Sequence, residues 1–295
     1  MKYTNQLNLP DFVCHALQNS DYVPADQPNP ISVTTLIKPP YIIQLEKKYY
    51  DEIEIDYKDL MWSMLGQIGH AIVSRLDGFK NIDNYSVETR IGEIVEYTNR
   101  FGKTESAYFN GQYDIFDIPN GILYDNKFTT HYSVLNNKPK EEWVEQLNLL
   151  AWLLRRKGYT VNQLKIVAWL RDLTAADKFK YDKPDNDIVI VDIPMWTDEE
   201  TTSFLIDRLR YHSVEATGCT EAERWAKKPK YAVIKIGGTK ALKLYDSMDD
   251  AYNNRRDGYT VEYRPGSDGR CQYYCNVNKF CSYYQEKYGK KHGTN

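Results

Sequence analysis

At residues 111–127 the chain reads GQYDIFDIPNGILYDNK. Two alternating runs flank the Asn-Gly pair at 120–121, and such a pair between alternating runs is a strong signal for a tight β-hairpin. Asp125 and Lys127 are two residues apart, so a strand places both side chains on one face. The turn folds Asp114 back beside them. The stretch therefore predicts two carboxylates and an amine at one place on a sheet.

This combination of charges suits phosphodiester hydrolysis. Carboxylate oxygens are preferred ligands of Mg²⁺ and Mn²⁺. A bound cation polarises the phosphate and lowers the pKa of a coordinated water. Lys127 can orient or deprotonate that water and offset charge that develops on the phosphate. An Asp-x-Lys triplet is common by itself, and the alternative is a surface hairpin whose charges face water.

Two further polar residues lie beside apolar helix faces. In the helix predicted for 59–76, His70 follows Gly69, which permits close approach of another backbone. His70 is then either a metal ligand or a packed core residue. In the helix predicted for 141–156, Gln146 lies on the edge of the apolar face. Its amide can hydrogen-bond a substrate phosphate or a metal-bound water, or it is an exposed residue without a role.

The periodicity of the chain predicts an α/β (α+β) fold, in which helices flank a mixed central sheet. The predicted helices are a stretch through 45–50 together with 59–76, 141–156 and 198–212. The predicted strands are short segments over 87–128 together with 164–170 and 188–193. The helix at 59–76 has an apolar stripe, expected to face the core, at Leu60, Met64, Leu65, Ile68, Ile72 and Leu76. We divide the chain into an irregular or helical N-terminal segment (1–56), a core (57–215) and a cysteine-containing C-terminal subdomain (216–295).

Composition narrows the class of protein. The formal net charge of −3 argues neither for nor against a nucleic-acid partner, because acidic ligands and basic patches can coexist. No run of about 18 apolar residues predicts a membrane-spanning helix, and the first ten residues lack the pattern of a signal peptide. We therefore expect a cytoplasmic protein. The five cysteines are then free thiols or metal ligands.

Four motifs, taken together, resemble the RecB-like branch of the PD-(D/E)XK nucleases. They are Gly66-x-x-x-His70, Gly111-x-x-Asp114, Asp125-x-Lys127 and Gln146-Leu-Asn-Leu-Leu-Ala-Trp152. The resemblance implies the restriction-endonuclease-like core fold. It also implies metal ligation by His70, Asp114, Asp125 and the backbone carbonyl of Asn126, with Lys127 as the catalytic lysine. Glu88 resembles an acidic residue that many members place before the metal hairpin, whereas Leu150 stands where members often have tyrosine.

Other stretches resemble nucleases encoded by bacteriophages and prophages. They are 32–40, 219–225, 231–233 and 264–266. This resemblance implies a DNA exonuclease that acts on single- or double-stranded ends in phage recombination or replication, with a helicase or a single-strand annealing protein as a possible partner. The alternatives are a structure- or site-specific endonuclease on the same core and a non-catalytic DNA-binding protein that kept the fold.

The cysteines form a compact pattern near the C-terminus. Cys271, Cys275 and Cys281 lie close together in sequence, with Cys219 about fifty residues upstream, and four thiolates can bind Zn²⁺ or an iron–sulfur cluster. Related nucleases of the AddB type have a four-cysteine cluster with similar C-terminal spacing, so the resemblance favours [4Fe–4S]. Their first cysteine precedes the core, so Cys219 would substitute for it here, and Cys14 is a rival.

Overall fold

The structure is a computed structural model of the 295-residue chain. It describes residues 1–18, 26–75, 82–135, 138–174, 177 and 183–289.

Two strands of 14 residues each form the longest ribbon of the fold. In chain order the strands are β1 Lys2–Thr4, β2 Pro30–Ser32, β3 Glu54–Asp56, β4 Tyr85–Thr98, β5 Thr104–Asp117, β6 Ile122–Thr129, β7 Gln163–Leu170, β8 Ile188–Ile193, β9 Ala226–Lys227, β10 Lys230–Lys235, β11 Ala241–Tyr245, β12 Tyr259–Arg264 and β13 Ser267–Asp268.

The helices vary in length from one turn to more than four turns. They are α1 Asp11–Gln18, α2 Val33–Ile37, α3 Pro40–Lys48, α4 Met61–Val73, α5 Glu141–Arg156, α6 Asp198–His212, α7 Met248–Asn253, α8 Gly269–Tyr273 and α9 Ser282–Tyr288. Short 3₁₀ helices cover Tyr50–Glu52, Tyr57–Leu60, Ile82–Asn84, His131–Ser133 and Asn278–Phe280.

The chain divides into two compact units. The first contains 1–38 and 54–215, and the second contains 39–53 and 216–295. The second unit thus begins at the predicted boundary near residue 216. It also takes in α3 and its flanks, which the sequence analysis grouped with the N-terminal segment. Residues 39–53 belong to the second unit because they cluster with the C-terminal part of the chain.

A six-stranded mixed sheet organises the first unit, with β5 at its centre. One edge of β5 pairs antiparallel with β4 over almost its whole length. The other edge is shared, since β2 pairs with residues 108–110 and β6 pairs with residues 115–117. Beyond β6 the sheet continues through parallel β7 and antiparallel β8. Strand pairing on the shared edge therefore lapses over residues 111–114.

Helices cover both faces of this sheet. Lys127 contacts Gln146 of α5, whereas the next residue, Phe128, packs on Gly69 of α4. Adjacent strand residues point to opposite faces, so α5 and α4 lie on opposite sides of the sheet. The core beneath α5 contains fully buried Phe109, Phe116, Leu123, Leu147, Leu150, Leu154, Leu164 and Ile166. The predicted mixed sheet flanked by helices is confirmed.

The apolar stripe of α4 was predicted to face the core, and this prediction is wrong. The helix is present, but Leu65, Ile68 and Ile72 are 41%, 46% and 59% exposed. Only Gly69 of this helix is buried, because the ring of Phe128 occupies the space that a larger side chain would need. The side of α4 that faces the sheet is therefore the side with glycine and His70. Leu76, the last residue of the predicted stripe, lies outside the described residues.

The second unit is built on the antiparallel sheet β11-β10-β12 and the two-stranded pair of β13 and β9. Ala232, Val233 and Ile234 of β10 are buried, as is Ala251 of α7. Across the described parts of the chain, no helix combines the length and the apolar character needed to cross a membrane.

Candidate metal centre

Asp114 occupies the lapse in pairing on the shared edge of β5. Because β6 leaves β5 after the pair Ile115–Tyr124, the backbone N–H of Asn126 has no partner strand there. It donates instead to Oδ2 of Asp114 at 2.6 Å. Gly111 is also required at this edge, since a Cβ there would lie 2.6 Å from Leu150 of α5. The buried Asp114 carboxylate thus takes the place of a ladder carbonyl and holds the two strands apart.

Asp125, Lys127 and Gln146 form one hydrogen-bonded group. The Gln146 amide nitrogen donates to Asp125 Oδ1 at 2.8 Å, and its carbonyl oxygen accepts from Lys127 Nζ at 3.0 Å. Lys127 Nζ lies 2.7 Å from Asp125 Oδ2 as an ion pair. The direction of that contact is outside hydrogen-bonding geometry, and Oδ2 is buried without a hydrogen-bond partner in the described chain. Gln146 therefore sets the positions of both charged groups.

Glu88 approaches the same place from β4 through an unusual backbone. Val87 pairs with Ile115 and Thr89 pairs with Tyr113, so Glu88 stands opposite Asp114 without pairing. Its φ is +44°, a left-handed conformation that costs a non-glycine residue on the order of 1–3 kcal/mol. Strain of this kind persists where the surrounding structure fixes it.

His70 faces both acidic groups from α4. Its Nδ1 lies 3.3 Å from Asp114 Oδ2 and 3.6 Å from Glu88 Oε1. Gln112 Nε2 donates to the other oxygen of Glu88 at 2.8 Å. Ligand atoms of His70, Glu88 and Asp114 all lie within 4.8 Å of one another. One imidazole nitrogen and two carboxylates are thus arranged around a common point.

Charge is concentrated in this cluster. Burial, and then the nearby Asp125 carboxylate, raise the pKa of Asp114 to about 7. The hydrogen bond to Glu88 raises the pKa of His70 in spite of burial. Burial opposes ionisation of Glu88, but hydrogen bonds from His70 and Gln112 outweigh it and lower the pKa of Glu88. The protein alone does not fully offset two adjacent carboxylates, and a cation would do so.

A groove of about 630 Å³ opens over the cluster. His70, Glu88 and Asp114 line it, together with the guanidinium-bearing residues Arg75 and Arg90. Guanidinium groups bind phosphate through paired hydrogen bonds. The groove therefore combines oxygen and nitrogen ligands for a cation with cationic side chains for an anion.

The donor set fits Mg²⁺ or Mn²⁺. These ions prefer carboxylate oxygens, and Mn²⁺ also accepts imidazole. Two observations show that the residues fit a cation: the raised pKa of Asp114 and the buried Asp125 Oδ2, which makes no hydrogen bond within the described chain. The backbone N–H of Asn126 donates a hydrogen bond to Asp114, and the side-chain oxygen of Asn126 accepts one from Trp169 Nε1 at 3.0 Å.

The structure thus gathers every residue that the sequence analysis selected around the hairpin. The group of closely spaced ligand atoms differs from the predicted set of metal ligands. It contains Glu88 together with His70 and Asp114, whereas Asp125 lies outside it and contacts Lys127 and Gln146. Sequence reasoning missed Arg75 and Arg90. Arg90 is two residues after Glu88 and shares a strand with it, which is the one signal that could have indicated it.

Four cysteines of the second unit line one cavity of about 150 Å³. They are Cys219, Cys271, Cys275 and Cys281. Their sulfur atoms are not drawn together within 4.8 Å, since the described residues contain a single group of that closeness and it has no cysteine. Four thiolates on one Zn²⁺, with Zn–S of about 2.3 Å, would be closer than this. A polynuclear cluster spaces its cysteines more widely because they bind different iron atoms.

Burial in the cavity raises the pKa of the thiols of Cys219, Cys271 and Cys275. Burial, then Glu223 and the other three cysteines, raise the pKa of Cys219 to about 12. Burial and Asp268 raise the pKa of Cys271 to about 11. Thiolates there need a positive counter-charge, which a metal cluster would supply. Cys14 is in the first unit, and its thiol lies 3.7 Å from the carbonyl oxygen of Leu9.

Comparison with known proteins gives little further information. No protein-family model matches the chain, and no curated protein matches it. Among solved structures, the crystal structure of SSO0001 is similar, with 19% identity and a TM-score of 0.44. The match covers 68% of this chain and 84% of that one.

Proposed function

We propose that this protein is a Mg²⁺- or Mn²⁺-dependent DNA nuclease whose active site is the groove over Asp114. The observation that carries the proposal is the meeting of Asp114 and Asp125 at the lapse in strand pairing, with Lys127 beside them. Paired carboxylates with an adjacent ammonium group suit hydrolysis of a phosphodiester. A hairpin with a purely structural role would not require two buried carboxylates in mutual repulsion.

Each residue has a distinct task in this reaction. His70, Glu88, Asp114 and Asp125 would hold the cation, which polarises the scissile phosphate and activates a water when bound. Lys127 offsets charge on the phosphate and orients the attacking water. Gln146 fixes the relative positions of the Lys127 and Asp125 side chains, because its amide makes a hydrogen bond with each of them.

The substrate and setting follow from the resemblance of the motifs. We assign the activity to single- or double-stranded DNA ends, in phage recombination or replication in the host cytoplasm. A helicase or a single-strand annealing protein is the expected partner. Sequence specificity should be low, because phosphate contacts position a nucleic acid without distinguishing its bases.

The cysteine cavity is proposed to hold a [4Fe–4S] cluster. Cys219 lies about fifty residues before the other three cysteines, so a bound cluster would tie the loop at Cys219 to α8 and α9 within the second unit. Protein purified without oxygen should contain iron and sulfide. Cys275→Ser should lose both and unfold at lower temperature. Iron-free, zinc-containing protein would replace this assignment with a zinc site.

Digestion of end-labelled DNA with Mn²⁺ tests the nuclease. Lys127→Ala and Asp114→Asn should each lower kcat by at least about 100-fold, as loss of one transition-state contact does. Lys103→Ala is the matched control, because Lys103 is exposed in the turn between β4 and β5. Unchanged cleavage by Lys127→Ala would assign the activity elsewhere. Nicking of closed circular plasmid would indicate an endonuclease.

A further inference from the structure

An exposed tryptophan lies on the helix that carries His70. Trp62 is 53% exposed, in the first turn of α4. It precedes His70 by eight residues, which is about 12 Å along a helix axis. That distance corresponds to roughly three or four stacked nucleotides of one DNA strand. A short oligonucleotide bound at the metal centre could therefore also reach Trp62.

Arg171 stacks on this tryptophan. Its guanidinium carbon lies 3.8 Å from the centre of the Trp62 ring. Arg171 directly follows β7, and its N–H donates to the carbonyl of Thr129 at 3.0 Å. Because β7 runs parallel to β6, Arg171 lies at the carboxyl end of the strand pair that contains Lys127. The guanidinium covers one face of the indole, and about half of the side chain remains open to solvent.

A further cation, Lys140, interacts electrostatically with both Arg171 and Lys127. Lys140, at the start of α5, has a lowered pKa, first through partial burial and then through the charges of Lys127 and Arg171. Glu142 opposes this effect. Lys140 therefore lies within electrostatic reach of both Lys127 and Arg171, and a group of cations of this kind stabilises an anion such as a chain of phosphates.

We infer that Trp62, Arg171 and Lys140 form a subsite for an unpaired stretch of the DNA strand that is being cleaved. The inference rests on the proposed nuclease function and names its preferred substrate. A base stacks on the open side of Trp62, while Arg171 and Lys140 contact the phosphates beside it. Stacking needs a base free of its complement, so the subsite favours single-stranded over duplex ends.

Kinetics on single-stranded and blunt duplex DNA test the subsite in the full-length protein. Trp62→Ala should raise KM for a single-stranded oligonucleotide about tenfold, in line with the loss of one stacked base, with kcat changed less than twofold. KM for the duplex should change little. Trp62→Phe keeps a ring and should restore most of the affinity. Ile72→Ala, an exposed change on the same helix, is the control.

Binding without cleavage separates this inference from the nuclease proposal. Anisotropy of a labelled oligo-dT in EDTA should show about tenfold weaker binding for Trp62→Ala and for Arg171→Ala than for Ile72→Ala. Loss of cleavage in Lys127→Ala together with unchanged KM and unchanged oligo-dT binding in Trp62→Ala would overturn the subsite alone. Unaltered cleavage by Lys127→Ala would overturn the nuclease proposal, and the binding result would still decide the subsite.

Discussion

Asp114 is the residue whose charge state matters most to the first unit. Its pKa is raised from 3.8 to about 7 by burial and by Asp125. An acid with a raised pKa in the folded protein stabilises the fold when it is protonated. Its contribution to the free energy of unfolding is therefore present below about pH 4 and is lost as the pH rises to about 7. At pH 8 the Asp114 carboxylate is ionised, so the metal-free protein has lost this contribution to its stability.

Asp114→Asn should therefore make the metal-free protein more stable at pH 8, by on the order of 1–3 kcal/mol. Asparagine keeps an acceptor for the N–H of Asn126 and removes the repulsion with Asp125. Urea denaturation in EDTA measures the difference at pH 8 and at pH 5.5, where it should shrink. Asp207→Asn, an exposed change in α6, controls for lost charge. Equal destabilisation of Asp114→Asn at both pH values would contradict this account.

At the residue scale, the sequence predicts what strand alternation controls. Asp125 and Lys127 share a face because they are two residues apart, and the Asn-Gly turn returns the chain toward Asp114. The left-handed backbone of Glu88 has no such signal. It depends on a one-residue lapse in the pairing of β4 with β5, and local residue preferences do not indicate where that lapse occurs.

At the scale of elements, α4 shows why a pattern can predict a helix and misassign its face. Its apolar stripe is real, yet the contact with the sheet is made by Gly69, which has no side chain and cannot contribute to a hydrophobic pattern. Helix periodicity reports which side is apolar, whereas backbone proximity decides which side approaches β6. The long buried helix α5 was predicted correctly because its apolar face and its packing face are the same.

Gly69→Ala tests this account of α4. A Cβ at residue 69 would lie 2.1 Å from the ring of Phe128, so the ring or the helix must shift. We expect a loss of about 1–3 kcal/mol in stability, as overpacking produces, and weaker Mn²⁺ binding through displaced His70. Thermal unfolding and Mn²⁺ titration measure the two effects.

The matched control for that change is three residues earlier. Nothing lies within 4 Å of a Cβ at Gly66, so Gly66→Ala should stabilise α4 by roughly 0.5–1 kcal/mol through helix propensity. If both alanines shifted stability in the same direction, close packing against Phe128 would not be the reason that residue 69 is glycine.

At the scale of the whole molecule, the buried carboxylate of Asp268 joins several side chains of the second unit. Asp268 is 1% exposed and accepts from Lys287 at 2.7 Å, Tyr288 at 2.8 Å and Tyr283 at 2.9 Å, with Arg224 at 3.3 Å. Burial opposes its ionisation, but these donors lower its pKa to about 2. The stabilisation is present above about pH 4 and is lost as the pH falls toward 2.

Asp268→Asn should cost on the order of 3–5 kcal/mol at pH 7, because it leaves Lys287 and Arg224 without their common anion. Denaturation followed between pH 7 and pH 2 should show the gap between wild type and variant closing below pH 4. Asp257→Asn, exposed in the same unit, should follow the wild type. A gap that persists unchanged to pH 2 would mean that packing, not charge, explains the loss.

Charge is divided unequally between the two units. The second unit contains 17 Lys and Arg against 12 Asp and Glu, a formal charge of +5, whereas the first contains 21 against 29, a charge of −8. The net charge of the unit with the candidate metal centre therefore opposes long-range attraction of DNA. The overall charge of −3 conceals this division because the two opposite charges largely cancel in the sum.

The second unit should accordingly supply most of the electrostatic affinity for DNA. Lys228, Lys235 and Lys243 are exposed there, and each phosphate contact that they make releases counterions. Changing all three to alanine should weaken DNA binding in EDTA and lower the slope of log K against log salt by up to about 3. Lys103→Ala in the first unit should leave the slope within about 1 of the wild type. A triple variant with an unaltered slope would require the phosphate contacts to come from the acidic unit, and would transfer that role to the arginines of the groove.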